Sequence, residues 1–217
     1  MALLEARGIR HSFGDEAGIT FPDWQGNGGE HWIFFGSSGS GKTTFLNILS
    51  GLLTPNEGIV RVANQNLSLL KPAARDSLRG KQIGIVFQQL HLVGALTVVG
   101  NLMLAQSLAG CPVDSAFAEN LLSRVGLMDK GRAFPSQLSY GQMQRVALAR
   151  ALINNPKIVL ADEPTSSLDD ENAQRAIDVI LEQVHLNGSL LVVATHDERI
   201  RHRFQKRLGL DPVETKS

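Results

Sequence analysis

Two stretches of the chain carry residue types that handle phosphate. The first is Gly36, Ser37, Ser38, Gly39, Ser40, Gly41, Lys42, Thr43 and Thr44. Glycines 36, 39 and 41 put no side chain in the way, so successive backbone N–H groups can turn inward onto phosphate oxygens. Lys42 would then reach the β- and γ-phosphates of a nucleotide, and the Thr43 hydroxyl would coordinate Mg²⁺. The second stretch is Asp162 and Glu163, followed by Pro164, at the end of the apolar run Ile158–Ala161. Taken alone, two acids after a strand make a solvated loop. Beside a phosphate loop they complete a site for nucleotide hydrolysis, Asp162 holding the Mg²⁺ shell and Glu163 facing the attacking water.

These residues need a frame that carries them to one place. "HWIFF" leads into the glycine-rich loop and "KTTFLNILSG" leads out of it, which is the strand, turn and helix context such a loop requires. "GIVRV", "IGIVF", "KIVLA" and "SLLVVAT" read as further short strands rich in β-branched residues. "SAFAENLLSRVGL" and "ENAQRAIDVILEQVHLNG" have helical spacing, the latter closing on Gly188. Strands alternating with helices predict an α/β fold around a mostly parallel sheet. The early "ARGIRHSF", "GITF" and "GIVRV" lack intervening helices and predict a small antiparallel layer. Residues from about 89 to 149 read as a helical insertion, and residues 1–217 as a single domain.

Composition narrows the partners. The 217 residues, 43% apolar and 19% charged, fit one soluble core. Basic and acidic residues balance at 21 each, so no whole-chain field draws in nucleic acid. Cys111 is the single cysteine, which excludes an intrachain disulfide and fits a reducing compartment. "MALLEARGIR" has none of the marks of a secretion signal, and the apolar stretch from Leu92 to Ala105 is too short to span a membrane and contains Asn101. A cytoplasmic chain is expected, reaching a membrane only through a partner.

The ordered set of the glycine-rich loop, "VFQQ", "LSYGQMQRVALARAL", "LADEPTSSLD" and "VVATHD" resembles the nucleotide-binding domain of ABC transporters over nearly the whole chain. "RGKQIGIVFQQLHLVGALTVVGNL" looks closest to the branch serving lipoprotein release, macrolide or haem export, and cell-division complexes. The resemblance implies a P-loop NTPase core, ATP and Mg²⁺ as ligands, and ATP hydrolysis coupled to transport. It implies that Gln88 contacts Mg²⁺ and the attacking water, that His196 bonds the γ-phosphate beside Glu163, and that Phe13 stacks on adenine where tyrosine is commoner. A core phenylalanine is the plainer reading of Phe13.

The same resemblance places Ser139, Gly141 and Gln142 against the ATP held by a second copy, and Asp169 at the contact between copies. Read from the residues, Ser139 and Asp169 are also helix N-caps. Tyr140 stands where the family has a glycine, Thr43 stands where serine is usual, and "PDWQGNGGEHW" is shorter than the usual strand pair. The partners implied are a second copy, head to tail around two ATP, and an integral permease at the cytoplasmic face of the inner membrane, with no nucleic acid. An ABC-type ATPase acting on nucleic acid or ribosomes is the alternative. The basic stretch Glu198–Arg207 reads as a solvated helix face, with contact to anionic lipid as the second reading. Little chain follows His196, so no regulatory domain is expected.

Overall fold

The computed structural model describes residues 2–14, 18–166 and 168–210. Along the chain β1 (Leu4–His11), β2 (Ile19–Thr20) and β3 (Trp24–Gly26) come first. Then β4 (His31–Phe35) leads to α1 (Lys42–Leu49), followed by β5 (Glu57–Val62) and β6 (Gln65–Asn66). α2 (Pro72–Gln82) and β7 (Ile83–Val86) precede three helices, α3 (Val98–Leu108), α4 (Ser115–Arg124) and α5 (Tyr140–Leu152). β8 (Ile158–Asp162), α6 (Asp170–Asn187), β9 (Leu190–Ala194), α7 (Glu198–Arg201) and β10 (Lys206–Gly209) follow.

Strands β10, β4, β9, β8 and β7 lie in that order in one sheet, and every pairing is parallel. Both faces are covered, and the period of two sorts side chains between them. Val159, Ala161, Leu191 and Val193 join the core under α5 and α6. Ile158, Leu160, Leu190 and Val192 pack on the other side with Phe45 of α1 and Val60 of β5. That second face is closed by the expected antiparallel layer, in which β1 pairs with β2, β3 and β5.

The helices α3, α4 and α5 are the expected insertion between β7 and β8, with α5 running on to Leu152. Asn101, buried in α3, explains how residues 93–97 are held without secondary structure. Its side chain accepts from Val93 N–H at 2.7 Å and donates to the carbonyls of Val93, Leu96 and Thr97. Among the described residues no helix is long and apolar enough to cross a membrane. Asp169 caps α6 by accepting from Asn172 N–H at 2.9 Å, and Gly188 ends that helix at φ 59°, both as expected.

The basic stretch corrects the expectation of a solvated helix face. It is one turn of helix followed by the edge strand β10, and most of its charges are spent within the chain. Arg203 pairs with Asp178 at 2.6 Å, Arg201 pairs with Glu198 and lies 4.3 Å over the Phe35 ring, and Lys206 reaches Glu30 at 2.8 Å. Arg207 is exposed and, among the described residues, donates only to the Phe204 carbonyl at 3.1 Å, so most but not all of the stretch's cations are matched by acids within the chain. α2 was not anticipated, although Pro72 in its first turn is a start signal.

Glu30 fastens β10 to the turn before β4. Burial opposes its ionisation, but hydrogen bonds from Lys206, Asn27 and Trp32 outweigh burial and hold the carboxyl at about 2, below its usual 4.5. A lowered folded-state pKa stabilises the fold above pH 4.5, and that contribution is lost as pH falls toward 2. Glu30→Ala should cost about 1–3 kcal/mol at neutral pH. It should also flatten the acid limb of stability between those two values, measured by urea unfolding across pH.

Candidate functional site

Register fixes the site before any loop is considered. Phe34 of β4 pairs with Ala194 of β9, and Ala194 pairs with Asp162 of β8, so the C-terminal ends of three strands form one row. From that row the chain leaves into the loop 36–44, into Thr195 and His196, and into Glu163. Val86 of β7 pairs with Ala161 one row back, which brings Gln88 out at the same edge.

The loop 36–44 is built by backbone constraints. Gly41 is the N-cap of α1 at φ 86°, and no side chain caps the helix, so its first N–H groups stay open toward a phosphate. At Gly36 a Cβ would lie 2.2 Å from the Leu210 carbonyl oxygen and 2.7 Å from Ser40 Oγ, so only glycine lets the strand end pass there. Lys42 is buried, and its Nζ donates to the carbonyls of Gly36 and Ser37 at 2.9 Å each. Ser37, Ser38 and Gly39 are exposed at the loop's crest, Thr44 is half-buried, and Ser40 Oγ is buried without a hydrogen-bond partner.

Asp162 is buried, and burial pushes its carboxyl above the ordinary value while a hydrogen bond from Thr43 acts against that shift. Its Oδ1 has no hydrogen-bond partner. A buried, unpartnered carboxylate oxygen beside a threonine hydroxyl suits a hard divalent cation that takes few protein ligands and completes its shell with phosphate and water. The residues present therefore fit Mg²⁺. A cleft of about 520 Å³ collects Phe13, Thr43, Thr44, Gln88 and Asp162, five of the residues expected at the nucleotide. Phe13 is 52% exposed, which removes the alternative of a core residue and leaves its ring open at the cleft.

Glu163 turns away from Asp162. Its φ of 49° lies in the left-handed region that favours glycine, and its N–H still bonds Ala194 at 2.8 Å. The side chain, 8% exposed, is folded over the end of β9. Thr195 donates to Oε2 at 2.7 Å, the His196 N–H donates to Oε1 at 3.2 Å, and His196 Nδ1 lies 2.7 Å from Oε1. With Nδ1–H donating, the exposed imidazole keeps Nε2 for another group. Thr195 was not singled out from the sequence; a polar triplet after a wholly buried strand was the available signal.

Ser139, Gly141, Gln142 and Asp169 stand apart from this cleft, and none of them bonds to residues 36–44. Ser139 caps α5 by accepting from Gln142 N–H at 3.3 Å, while Gln142 Oε1 accepts from Ser139 N–H at 2.9 Å. Gly141 instead borders a separate cavity of about 540 Å³ between α5 and α6, which contains no residue of the phosphate loop. Tyr140 is the first residue of α5, with helical backbone and 44% exposure.

Sheet, loop and acidic strand end together define a P-loop nucleotide-binding cassette of mixed α/β architecture. The family profile described as ABC transporter matches residues 22–166. The chain is 41% identical over 184 residues to the lipoprotein-releasing system ATP-binding protein LolD of Legionella pneumophila, covering 84% of this chain and 81% of that one. It is 42% identical to the macrolide export ATP-binding/permease protein MacB 1 of Aeromonas hydrophila, over 96% of this chain and 33% of that protein. The solved dimer of the ATP-binding cassette MJ0796 with ADP and Pi superposes with a TM-score of 0.86 at 31% identity, covering 96% of each chain. The chain belongs to the ABC transporter family. It is an ATP-binding cassette of that family and an ATPase, which supports the transport reading and leaves the nucleic-acid alternative without support.

A side chain at position 140 costs the turn nothing in backbone conformation, because the residue sits at negative φ inside the helix. Tyr140→Gly should therefore change ATP turnover less than tenfold, whereas Ser139→Ala, which also loses a cap worth about 1 kcal/mol, should cost far more. Phosphate release by the two variants checks both.

Proposed function

We propose that this chain is the ATPase subunit of a membrane transporter, pairing head to tail with a second copy around two ATP molecules and driving an integral permease from the cytoplasmic face. The observation that carries this reading is the division of the chain into two half-sites. Residues 36–44, Asp162, Glu163 and His196 share one sheet edge, whereas the Ser139–Gln142 turn contacts none of the loop. A second copy turned end for end would bring that turn onto the phosphate loop of the first.

In each composite site the first-turn N–H groups of α1 receive phosphate oxygens, and Lys42 exchanges its two carbonyl partners for the β- and γ-phosphates. Thr43, Asp162 and Gln88 would hold Mg²⁺, which when bound neutralises charge on the β- and γ-oxygens. Phe13 offers its ring face to adenine. Glu163 accepts a proton from the attacking water or orients it, and its grip by Thr195 and His196 sets where the carboxylate can swing. From across the dimer, Ser139, Gly141 and Gln142 approach the γ-phosphate, with the positive end of α5 behind them. A permease in the lipoprotein or macrolide-export class is the partner that the relatives' names favour.

Glu163→Gln should lower ATP turnover by about 10²–10⁴-fold, the range typical of a lost general base, and accumulate ATP-bound dimers on size exclusion. Undiminished phosphate release would remove Glu163 from the mechanism. Lys42→Ala should weaken both nucleotide binding and turnover; normal values for both would contradict the half-site described for the loop. Affinity capture from solubilised membranes should bring down an integral membrane protein.

A further inference from the structure

A second set of hydrogen bonds runs outward from Glu163 and ends at the segment expected between copies. Thr195 Oγ1, which donates to Glu163, accepts in turn from Asp197 N–H at 2.9 Å. The Asp197 carboxylate accepts from Thr165 Oγ1 at 2.7 Å and is gripped by Arg199, Nε on Oδ1 and Nη2 on Oδ2, both at 2.8 Å. Arg199 does not stop there. Its Nη1 donates to the Leu168 carbonyl at 3.1 Å and to Asp170 Oδ1 at 2.7 Å, and its Nη2 reaches the Thr165 carbonyl at 3.3 Å. All three guanidinium nitrogens are used, and Asp169 lies between two of the residues they hold.

The side chain of Arg199 is not needed to dock its own helix. Ile200 and Phe204 are fully buried in the core beneath it, Arg203 pairs with Asp178, and the Arg199 carbonyl accepts from Gln174 of α6 at 3.1 Å. The guanidinium therefore serves the loop and Asp197. A rigid, planar fork carries five donors on three nitrogens and so grips a carboxylate bidentately while reaching divergent carbonyl oxygens; an ammonium offers three donors from one nitrogen and does not match that spread.

We propose that Arg199 is a positioning residue that locks Thr165, Leu168 and Asp170 to the Glu163 carboxylate, so that docking of a second copy against this segment is felt at the hydrolytic site. The proposal rests on the ATP-driven dimer described above. Displacement of Leu168 or Asp170 by the partner would pull on Arg199, then on Asp197, and through the Thr195 hydroxyl on Glu163. Each link is a hydrogen bond at or below 3.1 Å. Asp197 is held at about 2, chiefly by the hydrogen bonds from Arg199, so its charge is constant across physiological pH and the connection does not switch with protonation.

The test compares the full chain with Arg199→Lys and, in case that variant is unstable, Asp170→Ala, which removes a loop-side link and leaves Asp197 gripped. Phosphate release is measured against ATP concentration. Both variants should lose about tenfold in kcat, within the usual span of coupling between sites, and the Hill coefficient should fall from near 2 toward 1. ATP affinity of the monomer, read with a fluorescent analogue, should stay within about twofold, since neither residue faces the loop 36–44. A wild-type protein that turns over ATP while both variants keep its kcat and Hill coefficient overturns the proposal alone. So does a fall in kcat with the Hill coefficient unchanged, which is what a merely structural role gives. A folded wild type that releases no phosphate overturns the dimeric ATPase reading and this proposal with it.

Discussion

The site depends on a parallel sheet with both faces buried. Strands β4, β9, β8 and β7 are sealed above and below by apolar side chains, so polar groups can emerge only where the strands end. Because every strand runs the same way, those ends share one edge. An antiparallel partner inserted anywhere among them would have sent one functional loop to the far side. The helical insertion and the antiparallel layer are elaborations of this constraint, and both leave the edge open.

The same constraint explains why two adjacent carboxylates have different fates. Asp162 is the last residue still in register with β9 and is therefore buried, beside Thr43 and with an oxygen unpartnered. Glu163 is the first residue outside the ladder, and its left-handed backbone swings its side chain over the end of β9. One peptide unit separates a group suited to a cation from a group held by Thr195 and His196. Neither environment could be made for both residues by extending β8 by a residue, because strand alternation would then send Glu163 to the opposite face.

What was legible in the sequence was local. The loop 36–44, the acidic pair, the caps Ser139 and Asp169 and the stop at Gly188 each depend on residues within one turn of each other, and all stand where their types predicted. The identity of the apolar strands was legible for the same reason. β10 was not, since four residues with two cations at a sheet edge carry no burial pattern. Arg199 was hidden more deeply. Asp197 is a near neighbour, but its other acceptors lie about 30 residues away in sequence, and those on Leu168 and Thr165 are main-chain oxygens, which no residue type announces. At Phe13 the strand has already left the core, so the ring stays exposed at the cleft and the core alternative falls away.

Ser139 and Asp169 were each expected both to cap a helix and to meet a second copy, and the geometry separates what the two can still offer. Both Asp169 oxygens are occupied by Asn172, one by its N–H and the other by its side-chain amide. Its remaining capacity is charge and spare lone pairs, which suit a donor on the partner. Ser139 Oγ is used only as an acceptor, from Gln142 N–H. The hydroxyl proton is left over, and a proton donor is what a phosphate oxygen requires. Capping thus orients the serine without exhausting it. The ring of Tyr140 lies beyond this group at the first helical position, where a side chain projects from the helix and leaves the N–H groups of the turn in place. For the phosphate contact proposed for this turn, an aromatic residue at position 140 removes no group, because the hydroxyl before it and the backbone after it are unaltered.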